Sequence, residues 1–140
     1  MAYNKAFVDS DVILDMLLKR EPFFIHSRTI FANRIQKQVE LWTSSLILAN
    51  VHYLISKNIN KYVAITSLKY LLGLIKVFSF TADHINSAIA GEHADFEDSI
   101  QYYIAKQNNC DLVISSNIKH YKKFDIRVLT PEDFLRELLS

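Results

Sequence analysis

A chain of 140 residues, half of them hydrophobic and with only two glycines and two prolines, has the length and composition of one folded domain rather than of a disordered or fibrous protein. Sixteen Lys and Arg against fifteen Asp and Glu leave a formal charge of +1, which excludes a global positive field as the means of holding nucleic acid and confines such contact to a local patch. The single Cys110 excludes an internal disulfide and the multi-cysteine zinc patterns, and no stretch approaches the roughly 18 to 20 apolar residues of a membrane span. Met1-Ala2-Tyr3-Asn4-Lys5, soon followed by Asp9 and Asp11, does not read as a secretion leader, so a cytoplasmic protein is expected.

Ala6-Phe7-Val8 is a short apolar run ending on Asp9-Ser10-Asp11, which predicts a buried first strand with acidic residues at its carboxyl end. Val12 to Leu14 and Met16 to Leu18 form a helical face, with Ser10 or Asp11 placed to cap it and Glu21-Pro22 to end it. A second helix is predicted from Phe24 or His26 to about Lys37, because Ile30, Phe31 and Ile35 recur at helical spacing. Val39 to Thr43 alternates as a strand, and Ser44-Ser45 can cap a helix carrying Leu46, Ile47, Val51 and Ile55. Ile65 to Ile75 marks a further helix, Lys76 to Phe80 a third strand, and Thr81 the start of another helix.

From Phe96 to Gln107 the apolar residues Phe96, Ile100, Tyr103 and Ile104 follow a helical series, with Asp95, Glu97 and Asp98 at its start, where negative charge opposes the helix dipole. Asp111 to Ser115 predicts a fourth strand and Ile126 to Leu129 an edge strand; Thr130-Pro131 then opens a last helix. This alternation predicts a single domain over residues 1–140 of the α/β class, with three α/β/α layers around a central, mostly parallel sheet. Ligands in such folds gather beyond the carboxyl ends of the strands, where Asp9, Asp11, Ser44, Ser45, Ser115, Ser116 and Asn117 fall.

Carboxylates gathered at one sheet edge repel one another, and a divalent cation is the natural neutralising partner. Asp9 and Asp98 are the leading candidates, then Asp95 and Asp11; Mg2+ or Mn2+ would suit their oxygens and phosphodiester hydrolysis. Acidic residues at helix starts are also common caps, which is the competing role for Asp95 and Asp11. Lys119, His120, Lys122 and Lys123 form a short basic run suited to an RNA backbone or simply to solvent. His26, His52, His84 and His93 show no four-residue spacing for zinc and are read as structural or surface residues.

Phe7-Val8-Asp9-Ser10-Asp11-Val12-Ile13-Leu14-Asp15 resembles the opening of PIN domains, including the VapC-type toxin ribonucleases of toxin–antitoxin pairs. Thr43 to Asn50 is similar to that family's second strand and helix, Asp95 to Gln101 to its central acidic helix, and Leu112 to Tyr121 to the strand and loop that close its site. The resemblance implies a metal-dependent ribonuclease: Asp9 and Asp98 would be catalytic and hold the ion together with Asp95, while Ser44, Asn50, Asn117, Lys119 and His120 would contact substrate or water. It also implies an antitoxin partner and a homodimer, for which the generous apolar faces around residues 24–35 and 46–75 leave room. Two positions that the family usually fills with acids carry Asn50 and His120, so a degenerate domain that binds RNA or a protein without cutting is the alternative.

Overall fold

The computed structural model describes residues 3–91 and 95–139, so His93 lies outside the described residues. In chain order the elements are β1 (Lys5–Val8), α1 (Ser10–Leu17), α2 (Phe24–Thr29), α3 (Asn33–Gln36), β2 (Glu40–Ser44), α4 (Ser45–Asn58), α5 (Lys61–Leu72), β3 (Lys76–Phe78), α6 (Ala82–Ala90) and α7 (Phe96–Gln107). There follow β4 (Leu112–Ile114), a 3-10 turn (Ile118–Tyr121), β5 (Arg127–Leu129) and α8 (Pro131–Leu138).

Among the described residues the strands form one sheet in the order β3-β2-β1-β4-β5, and all four pairings are parallel. The sheet is thus wholly parallel, with β5 at an edge as expected. Its centre is apolar on both faces, as helix-covered parallel strands require: Ala6, Phe7, Val8, Leu112, Val113 and Ile114 are all inaccessible to solvent. From β1 the chain steps outward through β2 to β3, then returns to the other side of β1 as β4. That reversal makes the carboxyl ends of β1 and β4 the switch point, where a crevice opens between diverging connections.

Two local expectations are corrected, while Ser44 caps α4 as expected. The helix predicted from Phe24 or His26 to Lys37 is two short ones: the N–H groups of Phe31 and Ala32 turn back three residues to Arg28 and Thr29, and Ala32 is extended. This tight 3-10 closure stops α2, and Gln36 Nε2 satisfies the freed Phe31 carbonyl at 2.8 Å. The cap of α1 is neither Ser10 nor Asp11 but Asp9, whose carboxylate accepts the Ser10 N–H at 2.9 Å. Strand β2 ends at Ser44, which is both its last residue and the cap of α4.

Trp42 stacks on Phe78 with centroids 4.0 Å apart, tying β2 to β3. Cys110 is buried and burial pushes its thiol up to about 12, which leaves it an inert apolar filler. His84 is buried and accepts the Thr81 N–H at 3.0 Å, closing the start of α6. By contrast Tyr53, Tyr62, Ile65, Tyr70 and Leu72 on α4 and α5 remain exposed.

Candidate active site

Asp9 directly follows β1 at the switch point, and its backbone N–H continues the ladder to the Ile114 carbonyl at 3.0 Å. Only 8% of the residue is exposed. Its Oδ1 accepts the Ser10 N–H, while Oδ2 accepts two hydroxyls, Ser115 Oγ and Tyr121 Oη, each at 3.0 Å. The Ser115 hydroxyl is oriented in turn, because its oxygen accepts the Asn117 N–H at 3.0 Å. Three of the roughly four lone-pair directions of this carboxylate are therefore filled by the protein, which leaves one on Oδ1.

Burial raises the Asp9 carboxyl above its ordinary value, and the bonds from Ser10, Ser115 and Tyr121 work against that rise. The Tyr121 phenol is driven well above its usual range, first by burial and then by the charges of Asp9 and Asp98, so it stays a donor.

Asp98 lies in the first turn of α7, with its side chain 16% exposed. Its carboxyl is raised to about 6, chiefly by burial and then by the negative charges of Asp95 and Asp9. The two carboxylates that the sequence singled out thus feel one another across the crevice. His120 Nδ1 stands 3.5 Å from Asp98 Oδ2 and brings the 3-10 turn against α7.

Asp95 is the exposed cap of α7, and its Oδ1 accepts the Asp98 N–H at 2.8 Å. It adds negative charge beside Asp98 while fixing where that residue sits. Asp11 clamps the closing loop: its Oδ2 accepts both the Ser116 N–H and Asn117 Nδ2 at 3.0 Å, and its Oδ1 accepts the Val12 N–H at 2.8 Å. Burial, and next the charge of Asp9, lift its carboxyl to about 7.

Ser44 is fully enclosed, accepting the Ile47 N–H and donating to Gln101 Oε1 at 2.9 Å, so it joins α4 to α7 and has no surface to offer a ligand. That corrects its expected place against substrate. Asn50 lies partly exposed on α4 and makes no side-chain hydrogen bond among the described residues; Lys119 is exposed on the 3-10 turn. Gln101 and Tyr121, which the sequence offered only as the last residues of two motif segments, are the partners that hold Ser44 and Asp9.

Among the described residues no three His, Cys, Asp or Glu side chains converge into a ready metal cage. The donor set still fits a hard cation, since Mg2+ is commonly held by one or two carboxylates and keeps several of its waters. The carboxylates of Asp9 and Asp98, with a lone-pair direction spare on Asp9, meet that requirement.

The description "PIN domain" belongs to the family model that matches residues 5–119. Ribonuclease VapC1 of Aquifex aeolicus (strain VF5) is 31% identical over 139 residues, spanning 96% of this chain and 95% of that protein. Among solved structures, DNA-bound VapBC from Salmonella typhimurium superposes with a TM-score of 0.72 at 17% identity, covering 91% of this chain and 98% of the other. VapC20 of Mycobacterium tuberculosis, a toxin that cleaves the sarcin–ricin loop, gives 0.69 at 13% identity over 85% of this chain and 95% of its own. At those identities the structural likeness is one of fold.

Proposed function

The chain belongs to the PIN domain family, and we propose that it is a divalent-metal-dependent endoribonuclease serving as the toxin of a toxin–antitoxin pair. The observation that carries this reading is that the closing 3-10 turn joins Asp9 and Asp98, with Tyr121 donating to Asp9 at 3.0 Å and His120 Nδ1 standing 3.5 Å from Asp98. Both carboxyls are raised by burial, and Asp98 also by neighbouring charge, so both are poised to give up their protons to a cation. A bound Mg2+ or Mn2+ supplies a lowered pKa for water and charge neutralisation at the phosphate.

The protein's own part is positional. Ser115 and Tyr121 fill one oxygen of Asp9 and so leave its open lone-pair direction on Oδ1. Asp98 offers its oxygens from the start of α7, with Asp95 behind it as cap and as a reserve of negative charge. Lys119 and His120, exposed on the 3-10 turn, are placed to meet the phosphates of single-stranded RNA, and Asn117 holds the turn through Asp11. Asn50 stands at the second-motif position and is assigned to water or substrate through its amide.

The exposed apolar residues of α4 and α5 form a surface suited to an antitoxin segment or to a second copy of the chain. No helix among the described residues is long and apolar enough to cross a membrane, which accords with action in the cytoplasm, where RNA is the target. One specific feature favours a second reading: Asn50 and His120 remove two negative charges from the family pattern, as a domain that binds RNA without cutting could tolerate.

Cleavage of single-stranded RNA decides between them. The purified chain is expected to cut RNA with Mg2+ or Mn2+, to stop in EDTA, and to lose activity in Asp98→Asn. RNA binding without turnover at saturating metal would establish the non-cleaving reading instead.

A further inference from the structure

Beyond the closing loop the surface sinks into two adjoining depressions that share Phe23 and Ser116. The nearer one, about 380 Å³, starts at Asp11 and Asn117, the clamp described above, and Asn117 is bonded through its N–H to the Ser115 hydroxyl that holds Asp9. It also holds Arg20. This guanidinium donates from Nε to the buried Asp15 at 2.8 Å and from Nη2 to the Asp11 carbonyl at 3.4 Å. Its side chain remains 46% exposed beside the carboxylates of Asp15 and Glu21, and the guanidinium N–H groups that Asp15 does not use face solvent in this hollow.

The farther depression, about 310 Å³, is at the lower end of the range for small-ligand sites, roughly 300–1,000 Å³. Pro22, Phe23 and Pro131 give it flat apolar walls, and His26 and Glu132 add polar groups. Its lining includes Ser27, a fully buried residue whose hydroxyl has no hydrogen-bond partner among the described residues. A buried hydroxyl left without a partner inside a binding-sized hollow marks a place where an incoming polar group would be rewarded. Phe23, at the junction, is 51% exposed.

We propose that the two depressions are one nucleotide subsite for single-stranded RNA, in which Arg20 holds a phosphate next to the scissile one and Phe23 stacks the attached base, seated in the farther hollow against Ser27. The proposal rests on the nuclease reading for its substrate. A cation followed by an exposed aromatic and a shallow pocket of mixed apolar and polar lining suits the alternation of phosphate and base along a single strand. With a net charge of +1 the chain needs such fixed contacts, because no general positive field will hold the strand.

The test uses the full chain in EDTA with a fluorescein-labelled RNA hexamer carrying iodouridine, so binding is read without turnover. Phe23→Ala is expected to weaken binding about tenfold and Phe23→Trp to preserve it, with photocrosslinks mapping to Phe23 in the wild type. Equal affinity in Phe23→Ala, with crosslinks elsewhere, overturns the subsite; if both proteins still cut RNA with Mn2+, the nuclease reading stands. Binding that depends on Phe23 in a chain that never cuts with Mn2+ supports the subsite and removes the nuclease reading. Failure of the wild type to bind the hexamer at all overturns the subsite.

Discussion

The Tyr121 hydroxyl donates to Asp9 Oδ2 at 3.0 Å, from a ring that is itself almost wholly buried. This bond, with that from Ser115, holds the Asp9 carboxyl lower than burial alone would leave it. Tyr121→Phe is therefore expected to keep the fold, to raise the Asp9 carboxyl, and to move the acid limb of the pH–rate profile to higher pH. A profile with an unmoved acid limb would show that Tyr121 serves only as packing.

Asp98 titrates near 6 in the folded chain against an ordinary value of 3.8, because of burial and then of the Asp95 and Asp9 charges. The folded state holds this proton more tightly than the unfolded state. Its stabilising contribution is thus full below about 3.8 and is lost as pH rises through 6. In EDTA at pH 8, Asp98→Asn is expected to melt about 3 °C above the wild type, with the gap closing near pH 4, while its cleavage activity disappears. Melting curves at the two pH values, with and without Mn2+, check this; a wild type more stable than the variant in EDTA at pH 8 contradicts it.

Asp11 grips the closing loop with Oδ2 and its own helix start with Oδ1. Asn at this position turns an amide N–H toward one of those donors. At pH 8, relief of the charge that burial and Asp9 disfavour offsets the lost acceptor bonds, so Asp11→Asn is expected to stay within about 1 kcal/mol of the wild type in urea unfolding and to leave Mn2+ affinity unchanged. If calorimetric Mn2+ binding fell as far as in Asp98→Asn, Asp11 would be a ligand and not a clamp.

Asn50→Glu combined with His120→Asp returns two negative charges to the motif positions. Affinity of oxygen-ligand sites for divalent ions follows ligand charge. The double variant is expected to bind Mg2+ about tenfold more tightly in calorimetric titration, and unchanged affinity would place both positions outside the ion's reach.

The parallel sheet, its order of strands and helices, and the acidic pair were readable because each rests on short-range pattern: apolar runs ending on polar residues, and acids at a helix start. The break between α2 and α3 was not, since Ile30, Phe31 and Ile35 keep helical spacing and the stop lies in backbone bonds to Arg28 and Thr29. Asp9 as cap was hidden for a similar reason: Ser10 and Asp11 are equally good capping residues. The roles of Tyr121 and Gln101 depend on partners 112 and 57 positions away, which local pattern cannot register.

The Ser44–Gln101 bond has a reach larger than its size. Ser44 ends the strand beside β1, which carries Asp9, and Gln101 lies one helical turn beyond Asp98 on α7. Sliding or rotating α7 would break a buried bond between these two side chains, so the gap between the two carboxylates is gauged by a contact that touches neither. Positions 44 and 101 are accordingly expected to covary among relatives, the small hydroxyl with the long amide, because changing one alone would reset the spacing of a site in which neither residue takes part.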